Sequence, residues 1–102
     1  MHCPDSWVII KITGTETLYK VLAGWSGSYL NGSSWQLNSG IVKVEQDGDY
    51  FLFHGSSGSI YRCHKEGYGL RMSIADIWTT LQQRYSDRVE MMDDNTDWMK
   101  LV

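Results

Sequence analysis

The first part of the chain alternates its apolar positions with a period of two, which is the pattern of β-strands. One face of residues 7–12 carries Val8, Ile10 and Ile12, and the other carries Trp7, Ile9 and Lys11. Residues 17–25 repeat the alternation after the polar stretch 13–16. Because β-branched and aromatic residues suit a pleated sheet, the pattern predicts an antiparallel pair of strands. Residues 35–37 predict a further short extended segment, which ends at the break over 38–40.

The clearest turn signal is the Asp47-Gly48 pair, which separates two β-rich runs between residues 41 and 54. This dipeptide is typical of a two-residue hairpin turn. Counting outward from that turn pairs Val44 with Phe51 and Val42 with Phe53. Directly opposed residues share a face of the sheet, so these four side chains are expected to face the core.

A third strand is predicted directly after this hairpin. Residues 55–58 form a loop of glycine and serine, and residues 59–63 are again β-rich. A four-residue loop would set Ile60 beside Phe53 and Tyr61 beside Leu52. The three strands are therefore expected to form a meander.

The apolar period changes from strand to helix after residue 70. Ser73, with Asp76 three residues later, resembles a capping box and predicts a helix over 74–85. The apolar stripe of this helix consists of Ile74, Ile77, Trp78, Leu81 and Tyr85. A last short strand over 88–92 and an apolar anchor over 98–102 complete the pattern.

These elements predict an α+β fold, with an antiparallel β-meander of about five strands and the helix packed on one face. We expect a single domain over residues 1–102, with a flexible acidic segment at 87–97. The opposite face of the sheet would be unusually apolar, with Trp7, Ile9, Leu18, Leu22, Leu52 and Tyr61. Two hypotheses follow for that face: cover by the C-terminal segment, or a homodimer formed sheet to sheet.

Composition narrows the class of protein. The chain has 102 residues, 42% of them hydrophobic and 21% charged, and no apolar run approaches the roughly 20 residues that a bilayer requires. This excludes a disordered tail and argues against a membrane protein. The formal charge of −3 arises after residue 86, where the chain has five acidic and two basic side chains. Since the basic residues are scattered singly, the sequence argues against a nucleic-acid partner.

The cysteines and the N-terminus bear on the compartment. Two cysteines, Cys3 and Cys63, are too few for a disulfide framework, and reduced thiols are expected. The first residues show neither a basic stretch nor a long apolar stretch of a signal peptide. We therefore expect a cytoplasmic location.

The sequence contains incomplete matches to catalytic and metal-binding motifs. Residues 55–59 begin like a nucleophile motif but end in serine where glycine belongs. A small hydrolase using Ser56 or Ser57 with His54 stays an alternative, although no carboxylate partner for the histidine is evident. Cys63 and His64 are adjacent in a strand and point to opposite faces, which does not suit zinc. The sequence thus predicts no catalytic residue, no metal and no cofactor.

The aromatic content is the most informative feature, with five Trp and six Tyr but two Phe. Several of these side chains, and one arginine, lie in loops or at strand ends: Trp25, Tyr29, Trp35, Arg62 and Tyr68. Trp, Tyr and Arg are enriched at binding hot spots, so these residues form the candidate partner-binding surface. The alternative is that the tryptophans pack beneath the loop over 26–34 and hold its shape.

Two blocks of the chain, GWSGSYLNGSSWQLNSGI at 24–41 and DYFLFHGSSGSIYRCHKEGYG at 49–69, resemble small uncharacterised proteins encoded by temperate phages and prophages of enteric bacteria. The resemblance implies a phage accessory protein in the cytoplasm of a bacterial host. It also implies a non-enzymatic role in binding a host or phage protein. A nucleic-acid-binding or nucleic-acid-mimicking protein is the first alternative, and the Ser/His hydrolase is the second.

Overall fold

The computed structural model describes residues 1–26 and 34–102, and its architecture is α+β. The strands are β1 Ser6–Thr13, β2 Thr17–Trp25, β3 Ser34–Leu37, β4 Ile41–Asp47, β5 Tyr50–Gly55, β6 Ile60–His64 and β7 Val89–Met91. The helix α1 spans Met72–Tyr85, and short 3₁₀ turns span Lys65–Gly67, Ser86–Arg88 and Trp98–Lys100. The predicted strands over 7–12, 17–25 and 35–37 are confirmed, as is the short strand near residue 90.

The strands form two antiparallel sheets, so the single meander of about five strands is wrong. The first sheet has the order β3-β2-β1-β7, and the second has the order β4-β5-β6. In the first sheet Val8 lies opposite Leu22, and Ile10 lies opposite both Lys20 and Met91. Strand β7, from the C-terminal part of the chain, thus pairs with β1 of the N-terminal hairpin. Local sequence patterns do not reveal such a distant pairing.

The hairpin of β4 and β5 turns one residue later than predicted. Asp47 pairs with Tyr50, so the turn consists of Gly48 and Asp49, and Gly48 takes the left-handed conformation with φ +61°. Val44 therefore lies opposite Phe53, not Phe51. The ladder is irregular between Ile41 and Lys43. That irregularity leaves Val42 59% exposed, whereas Ile41 is buried, which corrects the expected core position of Val42.

The pairing of β5 with β6 also differs from the prediction, by one residue. Gly55 remains in the strand and its N–H donates to the carbonyl of Ser59, so the loop consists of residues 56–58. Tyr61 consequently lies opposite Phe53 rather than Leu52. Since a one-residue shift reverses the faces of a strand, Tyr61 points into the core and Ile60 points away from Phe53.

The first sheet is covered on both of its faces. On one face α1 packs over a buried cluster of Val8, Ile10, Leu22, Ile74, Leu81 and Val89. On the other face the second sheet packs over a buried cluster of Trp7, Ile9, Val21, Ala23, Ile41, Phe53, Tyr61, Cys63 and Trp98. The molecule is therefore built in three layers, with the first sheet in the middle.

Trp98 closes the space between the two sheets and is 4% exposed. Its ring lies 5.7 Å from that of Trp7, whose indole N–H donates to the carbonyl of His64 at 2.8 Å. The C-terminal segment thus helps to cover the apolar face, as one of the two hypotheses proposed. Trp7 and Ile9, which motivated a sheet-to-sheet dimer, are fully buried within the chain.

The helix begins two residues earlier than predicted. Its N-terminal flanking residue is Arg71, not Ser73, and no side chain caps it. It ends at Tyr85, after which Ser86 has a positive φ of +55°. Within residues 1–26 and 34–102, no helix is long and apolar enough to cross a membrane.

Candidate binding groove

The N-terminal segment is held against the second sheet and forms one wall of a groove. The His2 N–H donates to the Ile60 carbonyl at 2.9 Å, and the Arg62 N–H donates to the His2 carbonyl at 2.7 Å. The imidazole of His2 stacks on Tyr61 with 4.7 Å between ring centroids. The indole N–H of Trp25 donates to the Cys3 carbonyl at 3.0 Å. These contacts give the first residues of the chain a defined position.

Two adjoining clefts lie between this segment and β3. The aromatic cleft has a volume of about 420 Å³ and is lined by Met1, His2, Cys3, Trp25, Ser34, Trp35 and Gln36. The polar cleft has a volume of about 440 Å³ and is lined by His2, Gln36, Leu37, Asn38, Ser39, Ser57, Ser59 and Tyr61. His2 and Gln36 line both clefts, so the two form one continuous surface, which we call the binding groove.

The binding groove has no charged side chain of the Lys, Arg, Asp or Glu type among the described residues that line its two clefts. Its polar groups are amides and hydroxyls, which both donate and accept hydrogen bonds. The groove therefore suits an uncharged ligand with its own donors and acceptors, and not a chain of phosphates.

Asn38 lies at the end of β3 and is 3% exposed. Its backbone N–H donates to the Val21 carbonyl at 3.1 Å, and its Oδ1 accepts from the Val21 N–H at 2.8 Å. The amide side chain thus continues the ladder between β2 and β3 by one bond. Its Nδ2 is buried and has no hydrogen-bond partner among the described residues. An unpaired buried donor of this kind costs roughly 1–3 kcal/mol.

Three serines form a hydroxyl cluster beside Asn38. Ser39 Oγ donates to Ser57 Oγ at 3.1 Å and accepts from the Ser57 N–H at 3.0 Å. The hydroxyl of Ser59 lies 3.3 Å from that of Ser57. A hydroxyl hydrogen can rotate toward a ligand, so the cluster adapts its donors without moving the backbone.

The structure brings together two of the predicted surface residues, Trp25 and Trp35, and places Arg62 and Tyr68 elsewhere. Trp25 and Trp35 both line the aromatic cleft, but Trp35 lies opposite Gly24, so strand alternation directs its side chain to the α1 face of the sheet. Arg62 stacks on Tyr50, with its guanidinium carbon 3.5 Å from the ring centroid, on the side of β6 opposite to Tyr61. Tyr29 lies outside the described residues.

Tyr68 belongs to the core and not to the binding groove. Its hydroxyl donates to the Met92 carbonyl and accepts from the Ile9 N–H. Its ring packs edge-on against Trp7 with 4.7 Å between centroids. Burial raises the pKa of Tyr68 to about 12. The side chain therefore fastens the segment after β6 to β1 and β7.

The serine and histidine of the hydrolase hypothesis have other partners. His54 Nε2 donates to Glu45 Oε1 at 2.7 Å, and this hydrogen bond, with the nearby Lys43, lowers the pKa of the Glu45 carboxyl. The Ser57 hydroxyl bonds within the hydroxyl cluster. In the described part of the chain no hydrogen bond connects His54 with a serine.

The metal-ligand residue types are dispersed. Over residues 1–26 and 34–102 no group of three or more His, Cys, Asp or Glu side chains is placed to hold a metal ion. Cys63 is fully buried, and that burial raises the pKa of its thiol far above the usual range. Cys63 therefore remains a neutral core side chain.

Sequence reasoning missed the polar half of the binding groove. Asn38 and Ser39 fall in a stretch that is typical of a turn, and His2 precedes the first predicted strand, where the sequence predicts no element. The only local signal for Asn38 is its place directly after a short β-strand, where its side chain can continue the ladder. Comparisons with known protein families, curated proteins and solved structures give no match.

Proposed function

We propose that this chain is a non-enzymatic binding module whose partner is a protein, and that the partner lies in the binding groove. The observation that carries the proposal is the lining of the two clefts, which sets amide and hydroxyl groups beside aromatic side chains and, among the described residues, includes no Lys, Arg, Asp or Glu. The peptide groups of a partner both donate to and accept from these amides and hydroxyls.

An extended protein segment matches the dimensions and chemistry of the binding groove. The groove follows consecutive residues 34–39, and an extended chain of that length spans roughly 20 Å. Peptide groups each carry one donor and one acceptor, which the amides of Gln36 and Asn38 and the serine hydroxyls complement. The absence of lysine and arginine among the lining residues argues against a nucleic-acid backbone as the partner.

Two further considerations support this function. The Glu45 carboxylate accepts from His54, but within the described residues no hydrogen bond joins His54 to Ser56 or Ser57, and the Ser57 hydroxyl bonds to Ser39 and Ser59 instead. The resemblance to phage-encoded proteins supports a host or phage protein as the partner, encountered in the cytoplasm of the bacterial host. A module without catalytic machinery acts by occupying or recruiting that protein.

Selection from a random library of displayed peptides, about 12 residues long, tests this function. Purified full-length protein is the target, and the Ser57→Arg variant, which places a charge and bulk in the polar cleft, is the counter-target. We expect enriched peptides with few charged residues that do not bind Ser57→Arg. Recovery of no enriched peptide, or of strongly basic or acidic peptides only, would contradict the proposal. Val42→Arg is the matched control, because Val42 is exposed and lies outside both clefts.

A further inference from the structure

The outer edge of β3 presents backbone groups that no described strand pairs. Within residues 1–26 and 34–102, β3 pairs with β2 alone. The Asn38 N–H points to β2, since it donates to Val21. Antiparallel partners alternate between bonded and non-bonded pairs, so Gln36 also points its backbone groups to β2. It follows that the N–H and C=O groups of Trp35 and Leu37 point outward from the sheet.

The three other sheet edges carry features that oppose strand addition. The outer strand β4 has an irregular ladder and the charged Lys43 and Glu45. The outer side of β6 is occupied by His2, which bonds to it in parallel. The edge at β7 has only three residues and carries Glu90, which pairs with Lys11 at 3.6 Å. Bulges, charges, covering segments and short length are the usual protections of an edge strand.

Strand β3 is only one residue longer than β7, but it has none of the charged protections. Its sequence, Ser-Trp-Gln-Leu, has neither a charge nor a proline. Trp35 is 47% exposed, although tryptophan is among the residues with the most to gain from burial. The combination is typical of an edge that pairs with another strand.

We propose that β3 pairs antiparallel with β3 of a second copy of this chain, about a two-fold axis at Gln36. This goes beyond the proposed function, because it uses the outward backbone groups of β3, although the side chains of Trp35, Gln36 and Leu37 also line the clefts. In this register Trp35 of each copy lies opposite Leu37 of the other. Each such pair exchanges two backbone hydrogen bonds, so all the outward groups of Trp35 and Leu37 are satisfied.

The side chains agree with this register. Paired residues in an antiparallel sheet share a face, and Trp35 and Leu37 both project on the α1 face, opposite Gly24 and Leu22. Aromatic and aliphatic side chains are favourable cross-strand partners. The uncharged Gln36 meets its own copy across the axis, without the repulsion of like charges that a lysine or glutamate would bring. A second copy therefore suits this edge without any change of sequence.

The molar mass in solution tests the proposal directly. Sedimentation equilibrium over a roughly hundredfold range of protein concentration should show a reversible change from monomer to dimer. In Trp35→Lys both symmetric Trp–Leu contacts are lost, and we expect the dimer dissociation constant to rise about tenfold or more. Val42→Lys places the same residue on the β4 edge and should leave the constant unchanged. A monomer at every concentration, or equal dimerisation of the two variants, overturns the proposal.

Cysteine cross-linking tests the register and does not require the Trp35 variant to fold. Gln36→Cys and Ser34→Cys are each made in a Cys3→Ser background, in which the remaining Cys63 is buried. Across the axis two copies of residue 36 lie within disulfide reach, whereas two copies of residue 34 are separated by roughly 13 Å along the strands. Mild oxidation should cross-link Gln36→Cys but not Ser34→Cys. Preferential cross-linking through residue 34, or no cross-linking through residue 36, contradicts this register. If the dimer also survives Trp35→Lys, it forms through another surface.

Discussion

Gly55 has no side chain at a point where three polar groups converge. A Cβ atom there would lie 3.0 Å from Ser39 Oγ, 3.1 Å from Ser59 Oγ and 3.4 Å from Asn38 Nδ2. The glycine thus allows the strand β5 to approach the floor of the binding groove closely. At the scale of single residues, the polar cleft depends as much on this missing side chain as on the amides and hydroxyls around it.

Gly55→Ala should therefore destabilise the protein. The added methyl group displaces the hydroxyls of Ser39 and Ser59, and overpacking of this kind costs about 1–3 kcal/mol. Urea denaturation measures the change in the free energy of unfolding. The control is Gly14→Ala, where the nearest atom to an added Cβ is 3.8 Å away. Equal stability of the two alanine variants would show that the space at Gly55 is not restricted.

The buried phenol of Tyr68 predicts a stability that depends on alkaline pH. Its pKa is about 12 in the folded protein, against an ordinary value of 10.0, so the folded state favours the protonated form. This contribution is complete below pH 10 and is lost as the pH rises toward 12. Burial raises the pKa values of Cys63 and Tyr61 as well, so they act in the same direction.

Tyr68→Phe isolates that contribution. At pH 7 the variant loses the hydroxyl that bonds to Met92 and Ile9, at a cost of about 1–3 kcal/mol. Above pH 10 its free energy of unfolding should fall less steeply than that of the wild type, because the variant lacks the Tyr68 phenol. Cys63 and Tyr61 are retained in both proteins and contribute equally. Parallel stability curves for the two proteins between pH 9 and 12 would contradict the role of this phenol.

At the scale of secondary-structure elements, the C-terminal turn Trp98–Lys100 acts as part of the core. Trp98 packs against Trp7, Phe53 and Tyr68, which belong to both sheets and to the segment after β6. Large apolar side chains contribute most where they contact several elements at once. This turn therefore couples the two sheets, although it contains only three residues.

Trp98→Ala should lower the free energy of unfolding by about 3–5 kcal/mol, the range for large aromatic residues replaced in a core. Thermal unfolding followed by near-ultraviolet circular dichroism reports the loss. Met99→Ala is the matched control in the same turn, because Met99 is 45% exposed. A similar loss in both variants would indicate that the turn, and not the buried indole, stabilises the protein.

The strands of the first hairpin could be predicted because alternation is a local property of residues 7–12 and 17–25. The two register errors in the second sheet also have local causes. The turn uses Gly48 and Asp49 instead of Asp47 and Gly48, and Gly55 stays in its strand. Each error is a register shift of one residue. Glycine-rich turns specify such a register only weakly.

The binding groove could not be predicted in the same way, because its parts meet only in the folded chain. Asn38 depends on the backbone of Val21, and His2 depends on the backbone of β6. Periodicity along the chain carries no information about such distant pairs. The aromatic residues Trp25 and Trp35 were identified from composition, but their neutral polar surroundings were not.

At the scale of the whole molecule, the negative charge is kept away from the binding groove. The chain has a formal charge of −3, and neither cleft is lined by an acidic or a basic residue. Under the proposed function, the partner is selected by shape and hydrogen bonding, and long-range electrostatic attraction contributes little. A mimic of nucleic acid would instead present acidic groups at its contact surface.

Binding in the groove should accordingly be almost independent of salt. For a peptide selected on the full-length protein, the dissociation constant should change by less than about threefold between roughly 50 and 500 mM NaCl, because no charge pair is screened. Fluorescence anisotropy of the labelled peptide measures it. A decline in affinity of tenfold or more over that range would indicate a charged contact surface instead.

The most direct test of the central claim is the affinity of one selected peptide for the wild type, Ser57→Arg and Val42→Arg, measured by isothermal titration with the melting temperature of each variant as a check on folding. The binding groove predicts that Ser57→Arg weakens binding about tenfold or more, since a charged side chain fills the polar cleft and displaces the hydroxyl cluster. Val42→Arg should bind as the wild type does. Equal affinities for the wild type and a folded Ser57→Arg would contradict the claim that the partner occupies the groove.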